Sequence, residues 1–181
     1  MEKDFDIAIV GAGAAGLTAA IEAKLTNPTA KVIVLEKMEE QQTEQHGCED
    51  LPVIIVEDDA FCGKLAIEKL GIELPVYDEW NYTRLKTAPC RYTGSIDKND
   101  IIIAAHNYKS HFGNLKQLQI GDEILFIDAY TTQHRYSVKE ITTLDGTAVT
   151  DMKAGEWDFT LFTCTKDGEQ RVTVRCIRVY E

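Results

Sequence analysis

A cysteine, a histidine and an arginine stand at the ends of predicted strands in the second half of the sequence. Cys164 closes the alternating apolar run "FTLFTC", and after the turn "KDGEQ" the next run begins at Arg171. An Asp-Gly turn of this length returns the chain antiparallel and brings Arg171 close to Cys164. His106 follows a third apolar run, "DIIIAA". These residue types suit a nucleophile, an acid–base group and an oxyanion partner, because a cation beside a thiol favours the reactive thiolate.

Two alternatives compete with this set. Arg175 lies four positions beyond Arg171, which keeps it on the same face of the strand and makes it the second candidate for the guanidinium role. A zinc site formed by His106, His111 and a cysteine is the other alternative, but the spacing typical of zinc ligands is absent. His111 and His134 fit surface or hydrogen-bonded positions among the strands, so no metal is expected.

The cysteine pattern indicates one working thiol rather than a disulfide framework. The five cysteines are Cys48, Cys62, Cys90, Cys164 and Cys176. Their number is odd, they are widely spaced, and no C-x-x-C pair occurs among them. Cys62, Cys90 and Cys176 are expected to be small, partly buried apolar residues. A simple cysteine peptidase is an alternative reading, although the "QAC-x-G" signature of caspases is absent.

Short β-rich runs must position these residues. Beyond residue 52 the apolar residues fall in the runs "KLAIEKL", "DIIIAAH", "DEILFIDAY", "HRYSVKEI", "DFTLFTC" and "RVTVRCIRVY", which Gly, Asp and Asn separate. This pattern predicts a mainly β domain over residues 53–181, built as a barrel or a sandwich.

The first 40 residues follow a strand–helix–strand pattern instead. The stretch "IAIVGAGAAGLTAA" places Gly11, Gly13 and Gly16 where a strand turns into a helix, and Glu36 ends the next strand. It resembles the FAD-binding variant of the Rossmann fingerprint, in which the glycines admit a pyrophosphate and the acid binds a ribose hydroxyl. No further helix–strand alternation follows to complete a doubly wound sheet. Residues 1–40 are therefore predicted to be a nonfunctional βαβ-like segment that binds no FAD; a flavin- or nucleotide-binding module is the alternative.

Charge and apolar length exclude several classes of protein. The chain has 181 residues, with 19 Lys+Arg against 30 Asp+Glu and a formal net charge of −11. Such a charge argues against nucleic acid or an anionic membrane as a partner. The uncharged run of residues 7–21 is shorter than the roughly 20 residues of a spanning helix. No membrane anchor or secretory signal is expected in this sequence, and the polar, Gln-rich residues 41–52 are predicted to form a linker.

From about residue 61 to residue 180 the sequence resembles the sortases of Gram-positive cell surfaces. The similarity lies in "YTGSIDKNDIIIAAHNYKSHFGNLKQLQIGDEI", "TLFTCT" and the closing "RVTVRCIRV". It implies a closed, mostly antiparallel β-barrel with short helices, and a cysteine transpeptidase. Cys164 would attack a sorting-signal peptide of a surface protein or pilin to form a thioacyl enzyme, which an amine acceptor resolves. His106 would move the protons, and Arg171 would stabilise the oxyanion.

The resemblance also implies a place on the outer side of the membrane, at the cell surface, and it implies no cofactor; calcium dependence stays open. Two features depart from the family pattern. Alanines precede His106 where many sortases have a glycine, and the dinucleotide fingerprint stands where the family usually has a membrane anchor.

Overall fold

The second part of the chain folds into a closed β-barrel, as predicted. The computed structural model describes residues 5–10, 14–35, 53–56, 58–153 and 155–180. In chain order the elements are β1 (Ile7–Val10), α1 (Ala14–Thr26), β2 (Val32–Leu35), β3 (Ile54–Val56), β4 (Asp59–Ile67), β5 (Ile72–Tyr77), β6 (Cys90–Thr93), β7 (Ile101–Ala104), β8 (Glu123–Asp128), β9 (Gln133–Asp145), α2 (Val149–Lys153), β10 (Phe159–Cys164) and β11 (Gln170–Val179).

The strand order explains how the barrel closes. Within the described residues the large sheet runs β3-β4-β5-β6-β7-β10-β11-β9-β8, and a further pairing of β8 with β4 joins its two ends. Eight strands therefore form the barrel, and β3 is added outside β4. The pairs β5–β6 and β7–β10 are parallel, while the other pairs of this sheet are antiparallel. The prediction of a mainly β, closed and mostly antiparallel barrel is confirmed.

Alternation along β10 decides which side chains face the barrel core. Phe159 and Leu161 belong to the core cluster. Thr163, the next residue on the same face of β10, is also buried. Because successive side chains of a strand point to opposite faces, Phe162 and Cys164 point outward. Both are only half-buried, in agreement with this direction. The predicted nucleophile therefore lies on the outside of the barrel wall, where a substrate can reach it.

The N-terminal segment packs against the outside of the barrel. Strands β1 and β2 pair in parallel, and α1 contacts β3, β4 and β5. The buried α1 residues Leu17 and Ile21 join a second apolar cluster with the barrel residues Phe61 and Tyr77. Lys64 is only 5% exposed, and its ammonium forms ion pairs with Glu22 of α1 and with Glu73 of β5. The βαβ unit thus covers barrel surface instead of standing free.

Several sequence-based predictions for this segment fall outside the described residues: Gly11, Gly13, Glu36 and the linker at 41–52. Gly16 lies within α1. In the part of the chain that the structure describes, no helix has both the length and the apolar character that a membrane span requires.

One local prediction needs correction. The run "KLAIEKL" is not one strand, because β4 ends at Ile67 and a 3₁₀ turn follows at Glu68–Leu70. Gly71 ends that turn with a φ of +62°, a left-handed conformation that favours glycine and reverses the chain into β5. The short helix α2 before β10 agrees with the expected barrel with short helices.

Candidate active site

The register of the parallel strands β7 and β10 decides which residues meet at their carboxyl ends. The pairs run from Ile101 with Phe159 to Ala104 with Phe162, a constant offset of 58 positions. His106 and Cys164 keep the same offset two residues further along. Parallel strands end at the same edge of a sheet, and residues two apart point to the same face. The structure therefore brings His106 beside Cys164, and both side chains line one cavity.

Hydrogen bonds on either side of this pair hold the two strand ends together. The amide of Ala105 donates to the carbonyl of Phe162 at 3.2 Å. The buried hydroxyl of Thr163 donates to the carbonyl of Ala105 at 2.8 Å, and Nδ2 of Asn107 donates to the carbonyl of Thr165 at 3.3 Å. The residues directly before and after His106 are therefore hydrogen-bonded to residues next to Cys164. These bonds limit how far the imidazole and the thiol can separate.

Arg171 reaches the same place from the third strand. It is paired directly with Cys164 in the antiparallel register of β10 and β11, so the two side chains share the outer face. Its Nη1 donates hydrogen bonds to the carbonyls of Gly168 at 2.9 Å and Gln170 at 3.0 Å. Gly146 packs close to the same nitrogen, since a Cβ at this position would lie only 3.3 Å from Nη1. The guanidinium is thus fixed at the edge of the cavity by the turn that the sequence predicted.

The three side chains line one open cavity of about 220 Å³. Its other walls are largely apolar and aromatic: Trp80, Tyr82, Leu85, Tyr92, Ala104, Ala105, Ala148, Val149, Met152 and Phe162. Asp145 adds a carboxylate, and hydrogen bonds from Thr147, with a smaller effect of Arg171, hold the pKa of Asp145 below its usual range. An apolar cavity with a few convergent polar groups is typical of a substrate site.

The His106 ring is held between two tyrosines. Tyr108 stacks on it with a centroid distance of 4.9 Å, and Tyr82 meets it edge-on at 5.8 Å. Burial lowers the pKa of His106, and the positive charge of Lys86 lowers it further. The imidazole Nε2 is buried and has no hydrogen-bond partner among the described residues. The neutral imidazole is therefore favoured at neutral pH, and it has a nitrogen that is not used within the protein.

The alternative residues are engaged elsewhere. Arg175 does not line the cavity; its guanidinium pairs with Glu140 and contacts the ring of Trp157. His134 is hydrogen-bonded on both ring nitrogens, to Asp128 at 2.7 Å and to Arg178 at 2.6 Å.

His111 is buried and lies against Tyr108, with ring centroids 5.4 Å apart. Over the described ranges no three histidine, cysteine or acidic side chains come close enough to hold a metal ion.

The remaining cysteines are more deeply buried than the sequence suggested. Cys90 and Cys176 are fully buried and Cys62 is only 5% exposed, because all three belong to apolar clusters. Burial raises the pKa of the Cys90 thiol to about 11 and also raises the pKa of Cys62 and Cys176. Cys48 lies outside the described residues. Among the cysteines that the structure describes, Cys164 alone is partly open to solvent.

Sequence reasoning missed the residues that support the site. Thr163 and Asn107 tie the strand ends, and Tyr82 and Tyr108 hold the imidazole. One signal was present: Thr163 is a polar residue at a position that alternation along β10 assigns to the core. Such a residue needs a partner, because a buried hydroxyl without a hydrogen bond is costly.

Comparisons with known proteins agree with this geometry. A family model described as a sortase domain matches residues 65–179, more than half of the chain. A model described as an FAD binding domain matches residues 6–49. No curated protein matches the chain.

Solved sortase structures share the fold. Sortase C1 of pilus island 1 of group B Streptococcus aligns with a TM-score of 0.59 and 20% identity, over 66% of this chain and 64% of that one. This chain therefore spans a little less than two thirds of that protein. Sortase C1 from Streptococcus agalactiae gives a TM-score of 0.62 and 24% identity over 70% and 72% of the two chains. The sortase D5 transpeptidase of Clostridium perfringens gives 0.59 and 24% over 66% and 79%.

Proposed function

Because the chain belongs to the sortase family, whose members are cysteine transpeptidases, we propose that it cleaves a sorting-signal peptide and transfers the acyl part to an amine. The observation that carries the proposal is the parallel register of β7 and β10. It sets His106 beside Cys164 at one edge of the barrel, in the cavity that Arg171 also lines.

In the first half of the reaction the thiolate of Cys164 attacks the scissile carbonyl carbon and a C–S bond forms. The carbonyl oxygen becomes an oxyanion, which the guanidinium of Arg171 stabilises. The C–N bond then breaks, and the imidazolium of His106 gives its proton to the leaving amine. The products of this half are a thioester on Cys164, a neutral imidazole and the released peptide end.

The second half uses the same groups in reverse. An incoming amine attacks the thioester carbon, and neutral His106 takes the proton that the amine loses. The C–S bond breaks, the thiolate leaves, and a new amide bond is complete. All steps are acyl and proton transfers among these groups, so a flavin has no part in the proposed reaction.

Electrostatics around the imidazole favour a slow enzyme. The lowered pKa of His106 makes its protonated form a minor species at neutral pH. Attack needs the thiolate, and departure of the amine needs the imidazolium, so the two ionised forms must coexist. We expect a bell-shaped pH profile of kcat/KM and a low turnover.

The proposed substrate follows from the lining of the cavity. Aromatic and aliphatic walls suit an apolar side chain of the sorting signal next to the scissile bond. The acceptor is proposed to be an amine of a cell-wall precursor or of a pilin. Its place of action is proposed to be the cell surface, on the outer side of the membrane.

The decisive experiment is a mass spectrum of the intact protein after incubation with a panel of sorting peptides. A thioacyl adduct should form on the wild type and be absent from Cys164→Ala, while Cys62→Ala keeps it. His106→Ala should remove turnover, and Arg171→Ala should lower kcat by about a hundredfold, as loss of an oxyanion donor does. An adduct that persists in Cys164→Ala would refute the proposed nucleophile. Products of water attack alone, with every amine tested, would indicate a simple cysteine peptidase.

A further inference from the structure

The helix α2 forms part of the wall of the active-site cavity. Val149 and Met152, both on α2, line the cavity, and so does Ala148, which directly precedes the helix. A helix of five residues is too short to be stable by itself in water. Contacts with the barrel must therefore hold this wall in place.

Arg175 of β11 supplies such contacts. Its Nη2 donates a hydrogen bond of 2.6 Å to the backbone carbonyl of Asp151 in α2. Its Nη1 forms an ion pair of 3.3 Å with Glu140 on the neighbouring strand β9, and its side chain is only 11% exposed. The guanidinium therefore connects a fixed point on the barrel to a carbonyl in the last turn of the helix, where a cation is favourable.

The segment that follows α2 also contacts Arg175. The ring of Trp157 lies under the Arg175 guanidinium, with the central carbon 5.5 Å from the ring centroid. Gly155 has a φ of +95°, and a Cβ there would lie 2.5 Å from Nε1 of Trp157. A side chain at residue 155 would thus displace the indole. The tryptophan is pressed between the glycine backbone and the arginine, an arrangement that Arg supports better than Lys because its guanidinium is flat.

A second contact from β11 reaches α2. The hydroxyl of Thr173 lies 3.8 Å from the sulfur of Met152 and also donates to the carbonyl of Arg171 at 3.3 Å. Arg171, Thr173 and Arg175 are alternate residues of one strand face. The face that presents the proposed oxyanion group therefore also carries the supports of the cavity wall.

We infer that Arg175 is a positioning residue that holds α2 against the barrel and thereby sets the shape of the substrate wall. The inference rests on the proposed function, since it assigns α2 to the binding of the sorting peptide. Arg175 acts through the helix and touches neither the thiol nor the imidazole. Its loss should weaken peptide binding and leave the chemical step largely unchanged.

The test compares Arg175→Met with Arg178→Met, because both remove a guanidinium from β11 and keep an apolar stem. Arg178 bonds to His134 and Asn99, away from α2. Hydrogen–deuterium exchange of the α2 amides should be about tenfold faster in Arg175→Met and unchanged in Arg178→Met. For the sorting peptide, Arg175→Met should raise KM by about fivefold with kcat within about twofold of the wild type.

Trp157→Leu provides a second variant and should raise α2 exchange and KM in the same direction. Unchanged α2 exchange in folded Arg175→Met would overturn the inference, and so would an equal rise in Arg178→Met. Faster exchange with an unchanged KM would refute the role of α2 as a substrate wall. If no peptide acylates the wild type, the proposed function fails, and the exchange measurement alone decides whether Arg175 holds α2.

Discussion

The hydroxyl of Thr163 is predicted to position the catalytic pair. It is 3% exposed and donates a 2.8 Å hydrogen bond to the carbonyl of Ala105, next to His106 and Cys164 in the two strands. Thr163→Val keeps the shape of the side chain and removes the donor. The substitution leaves the Ala105 carbonyl without this donor, and a buried acceptor that loses its partner costs about 1–3 kcal/mol of the free energy of unfolding. In a chain of this size each kcal/mol lowers Tm by about 2–4 °C.

The effect on catalysis should exceed the effect on stability. A shift of roughly 1 Å between reacting groups can reduce a rate by about a hundredfold, so kcat/KM for the sorting peptide should fall at least about tenfold in Thr163→Val. KM alone should change little, because the cavity walls are formed by other residues. Thr163→Ser keeps the hydroxyl and should recover most of the rate.

Thermal unfolding followed by circular dichroism, together with acylation kinetics, checks both effects. The matched control is Thr160→Val, a buried threonine three residues earlier in β10 that does not line the cavity. Its kcat/KM is expected to stay within about twofold of the wild type. If Thr163→Val lowers Tm but leaves kcat/KM at the wild-type value, the hydrogen bond does not position the pair and the reasoning is refuted.

Three further predictions concern the N-terminal segment and the imidazole. Ile21→Ala in α1 should lower the free energy of unfolding by about 2–5 kcal/mol, because Ile21 is fully buried against the barrel; a loss below about 0.5 kcal/mol in urea unfolding would show that α1 is not part of the folded body. Lys86→Gln removes a positive charge that lowers the pKa of His106, so the pKa of His106 should rise. An NMR titration in a Cys164→Ala background measures this pKa. An unchanged pKa would contradict the effect assigned to Lys86. The purified protein should be colourless above the aromatic absorption band and should not bind FAD in a titration, whereas saturable micromolar binding that Gly13→Val abolishes would establish a flavin site.

The sequence by itself determined the elements whose contacts are local. The hairpin of β10 and β11 follows from two alternating runs and one Asp-Gly turn, so the pairing of Cys164 with Arg171 was predictable from a dozen neighbouring residues. The position of His106 at a strand end followed from one apolar run. In these cases the period of the pattern and the length of the turn leave few alternatives.

Only the tertiary structure decided contacts between residues far apart in the chain. The parallel register that sets His106 beside Cys164 joins strands 58 positions apart, and no turn between them specifies it. The barrel fixes that register, because its closure leaves each strand one set of neighbours and one buried face. For the same reason the sequence left Arg175 as a rival to Arg171. Both arginines lie on one strand face. Only the path of the chain before β10 places the carbonyl of Asp151 in α2 next to Arg175 and the cavity next to Arg171.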